Sequence, residues 1–382
     1  MRPQPCQDSY IKSFTTLSGM LTYHKSLSKE SRWERTKVSN LQVAPLEKGS
    51  PLYINPSVFA TGVSMGAIGD TAKNLGLAVK LNGKYYPLRD TAYKGLLDRA
   101  KISGASLAKL SRKQLAGVLN ACLRLYANTN TLVLIRGEKV SATHSGDEHD
   151  YSILEIPELL KSLERKLNER FPDHQFESGY TDHAITSAAW SLPGQREDLL
   201  GNYEKLLDAR GKSSVVSKLM PGIQFTTSDT GVASAKVSAL LVGAQHPIYI
   251  GGMLAVEHRW QKKVEDFEQA IDQLFAQFGN SLAKLERLEH IELEYPVNAM
   301  TRACKKLSMP KKEALSAIAM FEMAYGGGVA TAHDVFMAMQ EIPFLLKTQG
   351  HPESKLILLG ENMARALSLD WSKLDLAKAV DY

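Results

Sequence analysis

Cysteine is scarce in this chain: Cys6, Cys122 and Cys304 are the only three in 382 residues. They are odd in number, far apart and free of any Cys-x-x-Cys spacing, which fits reduced thiols and argues against a disulfide framework or a cysteine-rich zinc site. Long apolar runs are missing as well. No stretch approaches the roughly 18 consecutive apolar residues of a membrane span, and the start, MRPQPCQDSYIKSF, lacks the apolar segment of a secretory signal. A cytoplasmic protein with no membrane partner is therefore expected. Catalytic signatures are absent too. There is no Gly-x-Ser-x-Gly elbow, no HExxH helix and no Cys-His pair in context, so nucleophilic or zinc hydrolysis has no positive support. Gly326-Gly327-Gly328 lacks the Lys-Ser/Thr of a P-loop and the strand that precedes one. It reads instead as the end of one helix before another begins at Thr331. No cofactor is expected.

What the chain does have is an uneven charge. Residues 1–140 carry 21 Lys/Arg against 8 Asp/Glu, and residues 141–382 carry 25 against 33, within a formal net charge of +5. A basic front and a slightly acidic back point to a polyanion partner, most simply nucleic acid. The other explanation needs no ligand: the acidic part could cover the basic part within the molecule. Apolar residues make up 44% of the chain, enough for a real core, and the length exceeds one typical core.

Residues 1–50 are polar and basic (Lys25, Lys29, Arg32, Arg35, Lys37) and read as a loosely ordered arm docking through Trp33. Tyr53 to Val79 has no clear period. Helical signals begin at Arg89, where Asp90 or Thr91 can cap a first turn and Gly104 can stop the helix. Ser111 and Gln114 form a Ser-x-x-Gln capping box ahead of an apolar face of Leu115, Val118, Leu119, Cys122 and Leu125. Three hairpins follow. TLVLIR and VSATH flank Gly137-Glu138-Lys139, HQFESGY and HAITSAAW flank Thr181-Asp182, and GIQFTTS and SAKVSALLV flank Asp229-Thr230-Gly231, with a helix near Pro157 and a PIYI strand at the end. From Ala255 onward the chain reads as helix. Val264, Phe267, Ile271, Leu274, Phe278, Leu282, Leu285 and Leu288 recur at steps of three and four across Gly279-Asn280, and further helices begin near Pro310, Ala332 and Glu353. Paired strands with helices between them predict an α+β fold: an antiparallel sheet built from hairpins with helices packed on one face, followed by a mostly helical C-terminal part. The expected division is a basic N-terminal arm at 1–50, an α+β core at 51–255 and a helical region at 256–382.

Three stretches carry a family resemblance. They are DTAYKGLLDRAKISGASLAKLSRKQLAGVLNACL, LVLIRGEKVSATHSGDEHDYSILEIPELLKSL and MPGIQFTTSDTGVASAKVSALLV. Together, over roughly residues 85–290, they resemble the phage-, prophage- and plasmid-borne proteins grouped as "domain of unknown function 932". The resemblance implies a mobile-element context. The chain departs from the family pattern at the Gly-Asp-Glu-His-Asp insertion after Ser145 and at GAQHPIYIGG after the third hairpin.

Arg112 and Lys113 open a helix, where the positive end of the dipole disfavours cations by ~0.3–1 kcal/mol each. Such placement makes sense if phosphate arrives there; the alternative is a solvated basic surface tolerated at small cost. Lys311 and Lys312 repeat the arrangement. Lys101 and Lys109 are expected to extend the patch, and Arg136 and Lys139 to continue it across the first hairpin. Trp33, Tyr85, Tyr86 and Tyr93 interleave with these cations and could stack bases, or pack in the core. His144, Asp147, Glu148, His149 and Asp150 form the one dense group of potential metal ligands, which Asp182 and His183 would join if the loops met. The leading expectation is a single-stranded-DNA-binding or annealing protein that acts as a homo-oligomer, the helix from Val264 to Leu288 mediating self-association. A metal-dependent nuclease and a protein-binding factor acting on a host system are the alternatives.

Overall fold

The computed structural model describes residues 11–146, 151–212, 218–243, 247–325 and 329–382. The chain starts in one lobe, leaves it to build a second, and returns. Strand β1 (Ile11–Phe14) and helix α1 (Leu17–Lys29) belong to the larger lobe. The smaller lobe follows: β2 (Ser31–Lys37), β3 (Gln42–Pro45), α2 (Pro51–Ile54), α3 (Met65–Lys73), β4 (Leu77–Leu81), β5 (Lys84–Pro87), α4 (Asp90–Ala100), α5 (Arg112–Leu125), β6 (Asn130–Arg136) and β7 (Lys139–Ser145). The return begins with α6 (Ile156–Arg170), β8 (Gln175–Asp182), β9 (Thr186–Ser191), α7 (Arg196–Asp208), β10 (Met220–Thr227), β11 (Ala235–Val242), β12 (Ile248–Val256) and α8 (Val264–Leu288). It ends with β13 (Glu292–Leu293), α9 (Pro296–Lys306), α10 (Lys311–Tyr325), β14 (Ala330–Thr331), α11 (Ala332–Met339), α12 (Glu341–Thr348) and α13 (Glu353–Met363). No helix among the described residues is long and apolar enough to cross a membrane.

The fold is α+β with antiparallel sheets built from hairpins and a mostly helical C-terminal part. The three hairpins distribute over two sheets. β6–β7 joins β2, while β8–β9 and β10–β11 lie side by side in a six-stranded sheet ordered β1-β8-β9-β10-β11-β12. A third small sheet is β3-β4-β5. Residues 11–45 are thus not a loose arm. Ile11–Phe14 pairs with Gly179–Asp182 and Ser31–Lys37 pairs with Asn130–Arg136, so each segment finds its partner more than ninety residues away.

Cross-strand pairs assign the faces of the large sheet. Trp190, Ile223 and Ala239 lie in one row, and Ala188, Phe225 and Val237 in the next. All six are buried in the core that α6, α7 and α8 cover. The opposite face carries Ser187, Gln224, Thr226 and Ser238, which are buried as well, because α13 packs over this side against β8 and β12.

The same apolar core runs from Met20 and Leu154 through Leu374, so position 255 is not a boundary between cores. The smaller lobe has its own core of Val79, Leu96, Leu115, Leu119, Val133 and Val140.

Local signals explain most elements. Ser111 Oγ accepts from Gln114 N and the Gln114 side chain accepts from Ser111 N, which completes the capping box of α5. Of its expected apolar face, Leu115 and Leu119 are buried, whereas Leu125 is exposed. α4 starts at Asp90 with Arg89 as an N-cap that makes no side-chain bond. Thr91 Oγ1 instead donates to Ser141 O at 2.6 Å, tying the helix to β7. The helix ends at Ala100 on a left-handed Lys101 (φ 53°), before Gly104 is reached. α8 runs unbroken through Gly279-Asn280, which lie on its exposed face. Thr331 caps α11 with a reciprocal box to Asp334, and Gly326–Gly328 lie outside the described residues.

Candidate functional site in the cleft between the lobes

Parts of the helix pair that starts at Asp90, of the first hairpin and its continuation, and of the third hairpin meet in one place. A polar cleft of about 540 Å³ opens between the lobes. Lys94, Gly95 and Arg99 come from α4, and His144, Ser145 and Tyr151 from the end of the first hairpin and just beyond it. Thr230, Gly231 and Ser234 come from the turn between β10 and β11, and Glu257, His258 and Arg259 follow β12. Two glycines allow the close approach. A Cβ at Gly95 would lie 2.3 Å from Thr143 O, and one at Gly231 (φ 78°) would lie 3.1 Å from the His144 ring.

The wall of the cleft is a stack of rings. Tyr151 lies between His144 (centroids 3.7 Å apart, planes at 5°) and His258 (5.3 Å, 10°). Trp33 tilts against His144 and Tyr151 at 5.9 and 5.6 Å. Register places Trp33 opposite Leu134 and His144 opposite Leu132, so both rings leave the small sheet on the same face. The main-chain oxygen of Asp229 accepts from His144 Nε2 (2.9 Å) and from Tyr151 OH (3.2 Å). Its carboxylate pairs with the Arg136 guanidinium, and Arg136 Nε donates to Ser31 Oγ at 3.1 Å. His258 uses both nitrogens, with Ser152 O and Thr227 Oγ1 each at 3.2 Å.

Burial sets the protonation here. It lowers His144 to about 4 and lowers His258 as well, and it raises Tyr151 well above the usual phenol range, with the Asp229 charge adding to that rise. His24 on α1, beside the charges of Asp229 and Arg136, is also held down to about 4 by burial. A carbonyl can only accept, so His144 carries its proton on Nε2 and its Nδ1 lone pair is an acceptor at neutral pH. The cleft therefore offers cations (Lys94, Arg99, Arg259), hydroxyls and one neutral imidazole acceptor, beside the anions Asp98 and Glu257.

The six expected nucleic-acid-binding residues separate into two groups. Lys101, Lys109 and Lys113 are exposed around the end of α4 and the start of α5. Arg112 is half-buried: its chain lies along Gly76 and it donates to Asn74 O at 3.3 Å, next to exposed Lys73. Arg136 and Lys139 do not continue this surface. Arg136 is spent on Asp229, and Lys139 is 1% exposed with its ammonium 2.5 Å from Asp70 Oδ2. Their turn is structural, since Glu138 accepts from Ser64 N and Oγ at the start of α3. Three of the four expected stacking residues are also occupied: Trp33 sits in the ring cluster, Tyr86 is buried under Arg32, and Tyr85 packs on Phe59.

Of the expected metal ligands, Asp147–Asp150 lie outside the described residues. Asp182 does not supply a free carboxylate, because Oδ1 accepts from Ala184 N and Ile185 N while Oδ2 accepts from Tyr180 OH. A different cluster, Glu289, His333 and Asp334, brings its ligand atoms within 4.8 Å of one another. The ammonium of Lys212 already sits there, 2.7 Å from both carboxylates, and neutralises a fully buried Glu289. The apolar face of α8 is not available for self-association, because Phe267, Ile271, Leu274, Phe278, Leu282 and Leu285 are buried against the chain's own sheet and helices. Lys311 opens α10 and donates to Tyr382 O at 2.7 Å. A scan against protein-family models found no match, and comparisons with curated proteins and with solved structures found none either.

Proposed function

We propose that the protein binds nucleic acid, single strands in particular, along the smaller lobe and into the cleft, in the mobile-element setting that its family resemblance implies. One observation carries the reading. α4 presents Lys94 and Arg99 to the cleft and ends at Lys101, and the connection beyond it adds Lys109 and Lys113. Among the described residues Lys101, Lys109 and Lys113 have no carboxylate partner, whereas Lys139, Lys166 and Lys236 do. Unpaired cations at the end of that helix and along the connection beyond it suit a phosphate backbone, whose binding releases counterions. An opening lined by arginines and hydroxyls suits a strand whose bases are unstacked.

Fluorescence anisotropy of labelled single- and double-stranded oligonucleotides tests the reading across a salt series, with and without magnesium. Binding should weaken steeply with salt. Changing Lys101, Lys109 and Lys113 to Glu should flatten the slope of log K against log salt by about 2, at ~0.7 per lost phosphate contact on a single strand. No binding at low salt would overturn the proposal and leave a protein partner as the explanation of the basic surface. Shortening of the oligonucleotide only with magnesium would replace it with a nuclease.

A further inference from the structure

A second cavity of about 540 Å³ lies away from the cleft, between the polar face of the six-stranded sheet and the α12–α13 pair. Its floor includes Ser187 and Gln224, and its walls include Phe14, Tyr180, Tyr249, Leu356 and Ile357. Lys347, His351, Glu177 and Glu353 also line it. A cavity of this size with mostly apolar walls and few polar groups has the form of a small-molecule site.

Hydrogen-bond polarity on the floor dictates what the occupant must supply. Ser187 Oγ lies 2.7 Å from Phe225 O, and a carbonyl can only accept, so the single Ser187 proton points there. The Ser187 lone pairs then accept, and the Gln224 group bonded to them must be its amide Nε2. This orients the carboxamide, leaving Oε1 with no partner among the described residues on a side chain that is 6% exposed and lines the cavity. An Oε1 that no donor among the described residues takes and that is open to the cavity is free to accept, and a donor on a ligand would bond to it.

We infer that this cavity binds a small molecule with an aromatic ring that donates one N–H or O–H to Gln224 Oε1 and carries a charged tail facing Lys347, Glu177 and Glu353. Tyr180, Tyr249 and Phe14 supply apolar ring contact. Two sources share that chemistry, an amino-substituted purine nucleotide and an aromatic amino acid with a ring donor. The site is separate from the nucleic-acid surface, and its test does not depend on that reading.

Isothermal titration of the full chain with adenosine monophosphate, the purine nucleotide lacking the amino group, tryptophan, tyrosine and phenylalanine distinguishes them. Within the pair that binds, the donor-bearing member should bind at least ~10-fold tighter than its donor-free analogue, because the analogue leaves Gln224 unpaired. Gln224→Leu should erase that preference. Leu356→Trp, which fills the cavity and leaves the floor intact, should abolish binding while the protein keeps its unfolding midpoint. Equal binding of phenylalanine and tyrosine, and of the two purine nucleotides, would overturn the inference. So would millimolar concentrations of all five probes giving no heat.

Discussion

Acidification tests how the lobes are joined. His24 and His144 are both held near 4 by burial, against 6.5 for a free imidazole. The groups facing them are Asp229 and Arg136 for His24, and Asp229, His258 and Arg99 for His144. A depressed histidine binds fewer protons folded than unfolded, so each contributes stability that is complete above pH 6.5 and is lost as pH falls toward 4. At pH 5 an unfolded imidazole is about 97% protonated while the folded one is about one-tenth protonated. The linkage integral gives a loss of about 2 kcal/mol per histidine, or about 4 kcal/mol for the two, relative to pH 7.5. His258 shifts in the same direction and adds to it.

Urea unfolding at pH 7.5 and pH 5 measures the loss, and His24→Phe isolates one share of it. The His24 ring packs between Phe14 and Tyr23, and its Nε2 has no hydrogen-bond partner among the described residues, so phenylalanine can take its place with little loss at neutral pH. The variant should lose about 2 kcal/mol less than the wild type between the two pH values. Carboxylates with lowered values, such as Asp334 and Glu268, titrate in both proteins and cancel in the difference. An equal loss in wild type and variant would refute the account of His24, and unchanged stability across this interval would refute it for all three histidines.

Two further perturbations probe the same junction. Gly95→Ala would force a Cβ to 2.3 Å from Thr143 O and should cost ~1–3 kcal/mol in thermal unfolding, whereas Gly117→Ala on the open face of α5 should gain up to ~1 kcal/mol. Asp229→Asn leaves the largely buried Arg136 without its counter-charge and should cost ~3 kcal/mol. Arg136→Met with Asp229→Asn should cost less than the sum of the two single changes; additive costs in the double-mutant cycle would show that the pair is not coupled.

Local structure was legible in the sequence wherever neighbours in the chain are neighbours in space. The three hairpins follow from period-two patterns around Gly137, Asp182 and Gly231, and the cap of α5 follows from Ser111 and Gln114. α8 tolerates Gly279 because that position is exposed, with nothing within 4 Å of a would-be Cβ, while the buried apolar face continues on both sides. What could not be read depends on distant pairing. Arg32 and Arg35 look like an unstructured basic run, yet with Trp33 and Glu34 between them they form a strand whose partner is Leu132–Ile135. Lys139 looked like a surface cation because Asp70, which neutralises it, is far away in sequence. The ring stack draws Trp33, His144 with Tyr151, and His258 from three separated segments, and no spacing in the chain announces such an arrangement.

The charge asymmetry can now be weighed against the architecture. The basic part of the sequence largely coincides with the smaller lobe. Had its charge served to hold the lobes together, the junction would be laced with ion pairs between them. Among the described residues the central contact is instead a stack of neutral rings beside the Arg136–Asp229 pair. Lys94 pairs with Asp90 and Lys139 with Asp70, both within the smaller lobe. Lys37, Lys101, Lys109 and Lys113 face solvent. At physiological salt the charge on such exposed residues is felt over only about 8 Å, so only a carboxylate close by could neutralise it. The positive surplus of the smaller lobe is therefore presented outward, where a polyanion can meet it, and the steepness of binding with salt becomes the property that most directly reports on it.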